Sequence, residues 1–130
     1  MSANPQPTTT LVTGGARGIG RAMVERFLRG GHQVIIAAKL PPPEALGGRE
    51  GITYHQVDLA DPEQALALAQ EISQAHGAVD VLVNNAATGF QSIPLLDMPL
   101  EHWDLVQATN LRAVALLSKA LLGDMTQAGR

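Results

Sequence analysis

The 130-residue chain contains no cysteine. Structural disulfides, thiolate nucleophiles and cysteine-ligated zinc are therefore excluded, and redox chemistry sets no compartment. Positive charge is sparse as well. Nine Lys and Arg are scattered against twelve Asp and Glu, for a net charge of −3, and nothing resembles the clustered basic face that nucleic acid requires. No nucleic-acid partner is expected. No apolar run approaches the ~20 residues of a membrane span, and Met1 to Thr10 holds neither a basic residue nor an apolar core. Membrane anchoring and secretion are thus not expected, and the default is a cytoplasmic protein. The histidines His32, His55, His76 and His102 lack metal-ligand spacing and read as surface residues, with no metal site. No Gly-Lys-Ser/Thr follows the glycines, which removes the P-loop hydrolases. Repeats and low-complexity tracts are absent.

What is present suffices for one core, since 45% of the residues are hydrophobic. Residues 1–8, with Asn4-Pro5-Gln6-Pro7, read as a flexible tail, and residues 9–130 as one domain. A strand is expected at Thr9 to Thr13, ended by a glycine turn. From Gly18 a helix runs to Arg29 with Ile19, Met23 and Phe27 on one face, stopped by Gly30-Gly31. Strand two, Gln33 to Ala38, is continuously apolar, as in a parallel strand covered on both faces. Three prolines and three glycines then crowd Lys39 to Gly51, leaving room for only a turn of helix. Strand three is expected at Ile52 to Val57. Asp61-Pro62-Glu63-Gln64 reads as N-cap, proline at N1 and capping-box partner of a helix to His76, with Ala65, Leu68, Ala69 and Ile72 inward. Val79 to Val83 reads as strand four, running into Asn84-Asn85-Ala86-Ala87. A last helix, Leu100 to Met125, carries Trp103, Val106, Ala113, Val114, Leu117 and Leu121 on one side.

The run Thr13-Gly14-Gly15-Ala16-Arg17-Gly18-Ile19-Gly20 therefore sits between a strand and a helix. The first turn of a helix leaves N–H groups unpaired, and its aligned peptides carry about half a positive charge there, so a pyrophosphate is stabilised without a basic side chain. Gly14 is suited to a positive φ, Gly18 to close backbone approach to a ligand, and Gly20 to packing of the helix on strand one. The bland alternative is a tight strand-to-helix turn. Together with Asp58-Leu59, Asn84-Asn85-Ala86-Ala87 and Asn110, however, the pattern Thr-Gly-x-x-x-Gly-Ile-Gly resembles the short-chain dehydrogenase/reductase family of nicotinamide-dependent oxidoreductases. Ala87 stands where that family usually has glycine. The implied fold is α/β, a Rossmann-like doubly wound parallel sheet, incomplete, of about four strands in the order 3-2-1-4.

The resemblance implies that Gly14, Gly15, Arg17, Gly18, Ile19 and Gly20 bind the coenzyme. Asp58 would read the adenine amino group beside the Leu59 backbone, or else be a turn residue before the helix. Asn85 and Ala86 would contact the coenzyme ribose, with Asn84 structural, and Thr88 to Ser92 would face the substrate. Where dinucleotide folds place an acid on the ribose 2′-hydroxyl, strand two ends Ala38-Lys39. Lys39 and Arg17 therefore favour NADP over NAD, unless they are merely solvated cations. Asn110, between Val106 and Val114, is expected to be a buried, hydrogen-bonded amide. It reads either as the family's proton-relay asparagine, the one catalytic candidate, or as a pin between helix and strand.

The tyrosine, lysine and serine of that family's reaction are not encoded. The only tyrosine is Tyr54, the residue four beyond it is Asp58, and neither Lys39 nor Lys119 has a tyrosine at the required spacing. The expected portion thus binds coenzyme but lacks the C-terminal catalytic part and is inactive alone, a small carbonyl or alcohol substrate being expected only for a completed enzyme. The alternative is a non-catalytic NADP(H)-binding or regulatory module. Strand four would also stand at an open apolar edge, so a partner or poor solubility is expected, the candidate partner being a second copy (a homo-oligomer) joined through that edge or through the last helix.

Overall fold

A computed structural model of the chain describes residues 6–89 and 91–129. The expected tail lies in part, and Phe90 of the expected substrate-facing segment wholly, outside the described residues. The strands are β1 (Thr9–Thr13), β2 (Gln33–Ala38), β3 (Ile52–Gln56) and β4 (Val81–Val83). All three pairings are parallel, in the order β3-β2-β1-β4. The helices are α1 (Gly18–Arg29), α2 (Pro62–His76), α3 (Leu100–Gln107) and α4 (Ala113–Gln127), with a π-helical turn at Ala108–Arg112 joining the last two.

Alternation along β2 divides the core. Ile35 and Ala37 join a cluster built with α2 and α4, around Leu68, Ile72, Leu117 and Leu121, whereas Val34 and Ile36 join Val12, Val24 and Leu46 on the other face. Both faces are covered, as the continuous apolar run of β2 requires. The crossover between β2 and β3 contains no helix among its residues 39–51, only turns, one of them closed by the N–H groups of Leu46 and Gly47 on the Pro43 carbonyl (2.9 and 3.1 Å). Leu46 is buried by this turn and fills the place a crossover helix would cover. An ion pair fastens the segment to α1: Arg49 donates through both terminal nitrogens to Glu25 (2.6 and 2.9 Å), and Arg21 adds a third contact at 3.3 Å. The Arg49 hydrogen bonds hold the Glu25 carboxyl down to about 2.

Asp61 caps α2 through its carboxylate, which accepts from the Glu63 N–H at 3.0 Å. Gln64 departs from the expected capping box. Its Oε1 accepts from the N–H of Asp58 (2.9 Å) and its Nε2 donates to the Asp61 carboxylate (3.2 Å), so it ties the end of β3 to the helix.

Four expectations are corrected. Ile19 does not share the inward face of α1 but is 77% exposed, because the buried positions are Gly20 and Val24. The last helix is not continuous; its π turn inserts a wider turn between α3 and α4, so Ala113, Leu117 and Leu121 are buried while Trp103 is 51% exposed. Strand four is shorter than expected, with Val79 buried just ahead of it. The histidines are half-buried rather than superficial. His32 Nδ1 lies 2.7 Å from the Thr10 hydroxyl, His55 pairs with Glu71 at 3.4 Å, and burial pushes His76 below the usual imidazole range.

Candidate functional site

Strands that all run the same way deliver their C-terminal ends to one edge, which is where open α/β sheets bind ligands. Here that edge gathers the glycine turn after β1, Ala38-Lys39 after β2, Asp58-Leu59 after β3 and Asn84 to Thr88 after β4. Thr13 is its hub. The buried hydroxyl accepts the N–H groups of both Asn85 and Ala86 (3.0 Å each) and donates to the Val83 carbonyl at 3.4 Å. Asn85 returns the contact, its Nδ2 donating to the carbonyls of Thr13 and Gly14 (3.1 and 3.2 Å). The Gly14 N–H donates to Ala37 (2.8 Å), which adds β2 to the same lattice.

Steric demands explain the glycines. Gly14 and Gly18 have φ of 67° and 60°, the left-handed region that side chains rarely adopt. A Cβ on Gly20 would run into the Gly14 carbonyl and the Asn85 amide, and one on Gly15 would come within 2.9 Å of Val24. The close packing expected of Gly20 against strand one is thus against the turn that follows it. Gly18 differs, having nothing within 4 Å of where a Cβ would stand, so the backbone there is open to approach.

The adjacent end of α1 is electrostatically bare. Its N-cap residue Arg17 makes no capping hydrogen bond and no acid lies in the first turn. The unpaired N–H groups and the dipole of a twelve-residue helix therefore face the open glycine turn. Arg17, Ile19 and Lys39 are exposed. The ion pairs among the described residues involve Arg21, Arg49 and His55, not Arg17 or Lys39. A cradle of left-handed glycines, free backbone donors and unpaired cations fits a diphosphate-bearing nucleotide.

Asp58 is half-buried and its carboxylate accepts from the Ala60 N–H at 3.0 Å, a turn-forming bond, while Leu59 is buried in the α2 and α4 cluster. Asn84 Nδ2 reaches the Ser118 hydroxyl on α4 at 3.4 Å. Asn110 overturns its expected burial. It lies on the exposed side of the π turn, yet both ends of its amide are used: Oδ1 accepts from the Thr88 N–H (2.8 Å) and Nδ2 donates to the Thr88 carbonyl (3.0 Å). The wider turn rotates this residue out of the stripe formed by Ala113 and Leu117 and brings it onto the loop after β4. Gly89 completes that approach, since a Cβ there would fall 2.6 Å from Val106.

Residues 8–130 match the short chain dehydrogenase family. The chain belongs to the short-chain dehydrogenase/reductase family. A short chain dehydrogenase/reductase of Colletotrichum higginsianum is 38% identical over 125 residues, an alignment that takes in 90% of this chain and 46% of the relative. The structure of a metagenomic short-chain oxidoreductase in complex with NADP superimposes with a TM-score of 0.83 at 34% identity, over 95% of this chain and 58% of that one. L-sorbose reductase from Gluconobacter frateurii, complexed with NADPH and L-sorbose, gives 0.84 at 25% identity over 95% and 49%. The chain thus spans about half the length of these relatives.

Two positions escaped the sequence reading. Thr13 lay inside the glycine motif but gave no sign that one hydroxyl would serve two amides. Tyr54, dismissed as a proton donor, donates its hydroxyl to the Leu40 carbonyl at 2.7 Å beside Lys39. A cleft of about 610 Å³ lies elsewhere, between Ala60 and the α3 to α4 segment, lined by Leu105, Leu111 and Arg112 and by no residue of the glycine turn.

Proposed function

We propose that this chain is the coenzyme-binding part of an NADP-dependent short-chain oxidoreductase that interconverts a small carbonyl and an alcohol. The observation that carries the coenzyme preference is the end of β2. Ala38 leaves no carboxylate to bind a 2′-hydroxyl or repel a 2′-phosphate, and Lys39 stands exposed beside it without an ion-pair partner among the described residues. Two relatives in fold were solved with NADP or NADPH, which supports the same choice.

The nicotinamide, when bound, supplies or takes the hydride. The chain's own residues bind and orient: the turn from Gly14 to Gly20 receives the diphosphate, Arg17 and Lys39 the 2′-phosphate, Asp58 and Leu59 the adenine, Asn85 and Ala86 the ribose. Asn110 is the candidate member of a proton relay. Its amide is already fixed by Thr88, so a water would meet a pre-aligned group. Tyr54 donates no proton to substrate, its hydroxyl on β3 being engaged with the Leu40 carbonyl. Assembly of copies through the α3 and α4 surface belongs to the same reading, and exposed Leu105 and Leu111 supply its apolar contact.

The second reading is a non-catalytic NADP(H)-binding or regulatory module. Fluorescence titration with NADPH measures binding apart from turnover. Saturable binding is expected, and Lys39→Glu should weaken NADPH by about 10- to 100-fold more than NADH. Equal losses for the two coenzymes would remove the NADP assignment.

A further inference from the structure

Two side chains of β3 reach over to the turn that carries Lys39. Tyr54 stands opposite Ile36 and Gln56 opposite Ala38, so both lie on the α1 face of the sheet and point along it toward the end of β2. Tyr54 donates its hydroxyl to the Leu40 carbonyl (2.7 Å) and Gln56 donates Nε2 to the Lys39 carbonyl (3.3 Å). Consecutive carbonyls are thus held by consecutive same-face residues of the neighbouring strand.

The need for these donors follows from the sequence. Lys39 and Leu40 are succeeded by Pro41, Pro42 and Pro43, which carry no N–H, so no helical-turn donor exists for the Lys39 carbonyl and only the Glu44 N–H is left for that of Leu40. Proline also drives the preceding Leu40 toward an extended conformation. The Val57 N–H holds the Ala38 carbonyl (2.8 Å) and so fixes the peptide before Lys39, which leaves the peptide after it to these two side chains.

We propose that Tyr54 and Gln56 are positioning residues that fix the backbone of Lys39 and so aim its ammonium at the 2′-phosphate of the coenzyme. The inference rests on the reading of Lys39 as the phosphate-binding residue. Neither side chain has to touch the coenzyme. Burial pushes the Tyr54 phenol above its ordinary range, which keeps the hydroxyl protonated and a donor. Its ring meanwhile packs against the cluster of Val34, Ile36 and Leu46, so the donor is anchored at its base.

The test compares dissociation constants for NADPH and NADH on the 130-residue chain, by nicotinamide fluorescence, in Tyr54→Phe, Gln56→Met, Lys39→Ala and the double variant Tyr54→Phe with Lys39→Ala. Tyr54→Phe keeps the ring and removes one bond, and should weaken NADPH about three- to tenfold while leaving NADH unchanged. Gln56→Met, at the longer bond, should act in the same direction by about twofold. In the Lys39→Ala background Tyr54→Phe should have no further effect. Losses shared equally by both coenzymes, no loss at all, or a Tyr54→Phe effect that survives Lys39→Ala would each overturn the proposal. If Lys39→Ala itself leaves the ratio untouched, the NADP reading falls and takes this inference with it. If Lys39→Ala collapses the ratio and Tyr54→Phe does not, only the positioning role falls. Should Tyr54→Phe lower the melting temperature enough to prevent titration, Gln56→Met, an exposed side chain, decides the question alone.

Discussion

On one face of the sheet α2 and α4 enclose a cluster of thirteen buried residues; on the other, α1 and a proline-rich loop enclose five. The two faces differ in how their backbones are satisfied. A helix bonds its own amides and offers only side chains to its neighbours, whereas the loop 39–51 closes only short turns at Pro43 and Leu46, takes donors for its Lys39 and Leu40 carbonyls from Gln56 and Tyr54, and is fastened to α1 by the side-chain pair of Glu25 and Arg49. The thinner face also holds the end of β2, where coenzyme choice is proposed to lie. Tolerance to change should therefore be unequal across the sheet.

The largest expected effect is on the helical face. Leu117 is 1% exposed between α4 and the sheet, and Leu117→Ala should cost about 3 to 5 kcal/mol in equilibrium urea unfolding, because two helices cannot close around the gap. Leu46 is equally buried but hangs from a loop that can settle inward, so Leu46→Ala should cost less, about 2 to 3 kcal/mol. Hydrogen exchange should then quicken in residues 39–51 and not in α2. Equal costs for the two variants would show that the loop is as unyielding as a helix.

The smallest effect concerns charge. Glu25 and Arg49 are partly solvated, at 29% and 40% exposure, so Glu25→Gln should cost below about 1 kcal/mol at neutral pH. The Glu25 carboxyl is held down from 4.5 to about 2 in the folded chain. Its depressed value means that the stabilisation is complete above 4.5 and disappears as pH falls toward about 2. Melting curves of the two proteins should converge across that window. A gap that stays constant would assign the difference to packing.

Most of the fold was legible because its signals are local. Strand β1, helix α1 and strand β2 end where glycine turns and continuous apolar runs say they should, and Asp61-Pro62 marks the start of α2. What escaped depends on distant partners. Leu46 looks like a loop residue until the sheet face beneath it is known, and Ile19 fits the apolar stripe of α1 until Gly20, one position on, is found to be the residue that packs on the glycine turn. For the site, the motif glycines were readable as a set, but the reason for Gly20 is a contact with Gly14 and Asn85 that no spacing reveals. Asn110 was misplaced because a period of 3.6 was assumed through a turn wound more widely.

That wider turn has a consequence for chain length. One residue fewer between Ala108 and Arg112 would let α3 and α4 join as one regular helix with little change in their relative rotation, because the π turn spends about one extra residue on the same angle. Ala113, Leu117 and Leu121 would stay on the core, but the bulge that carries the Asn110 amide out to Thr88 would be gone. A single deletion there would thus unlatch the loop after β4 without unseating either helix.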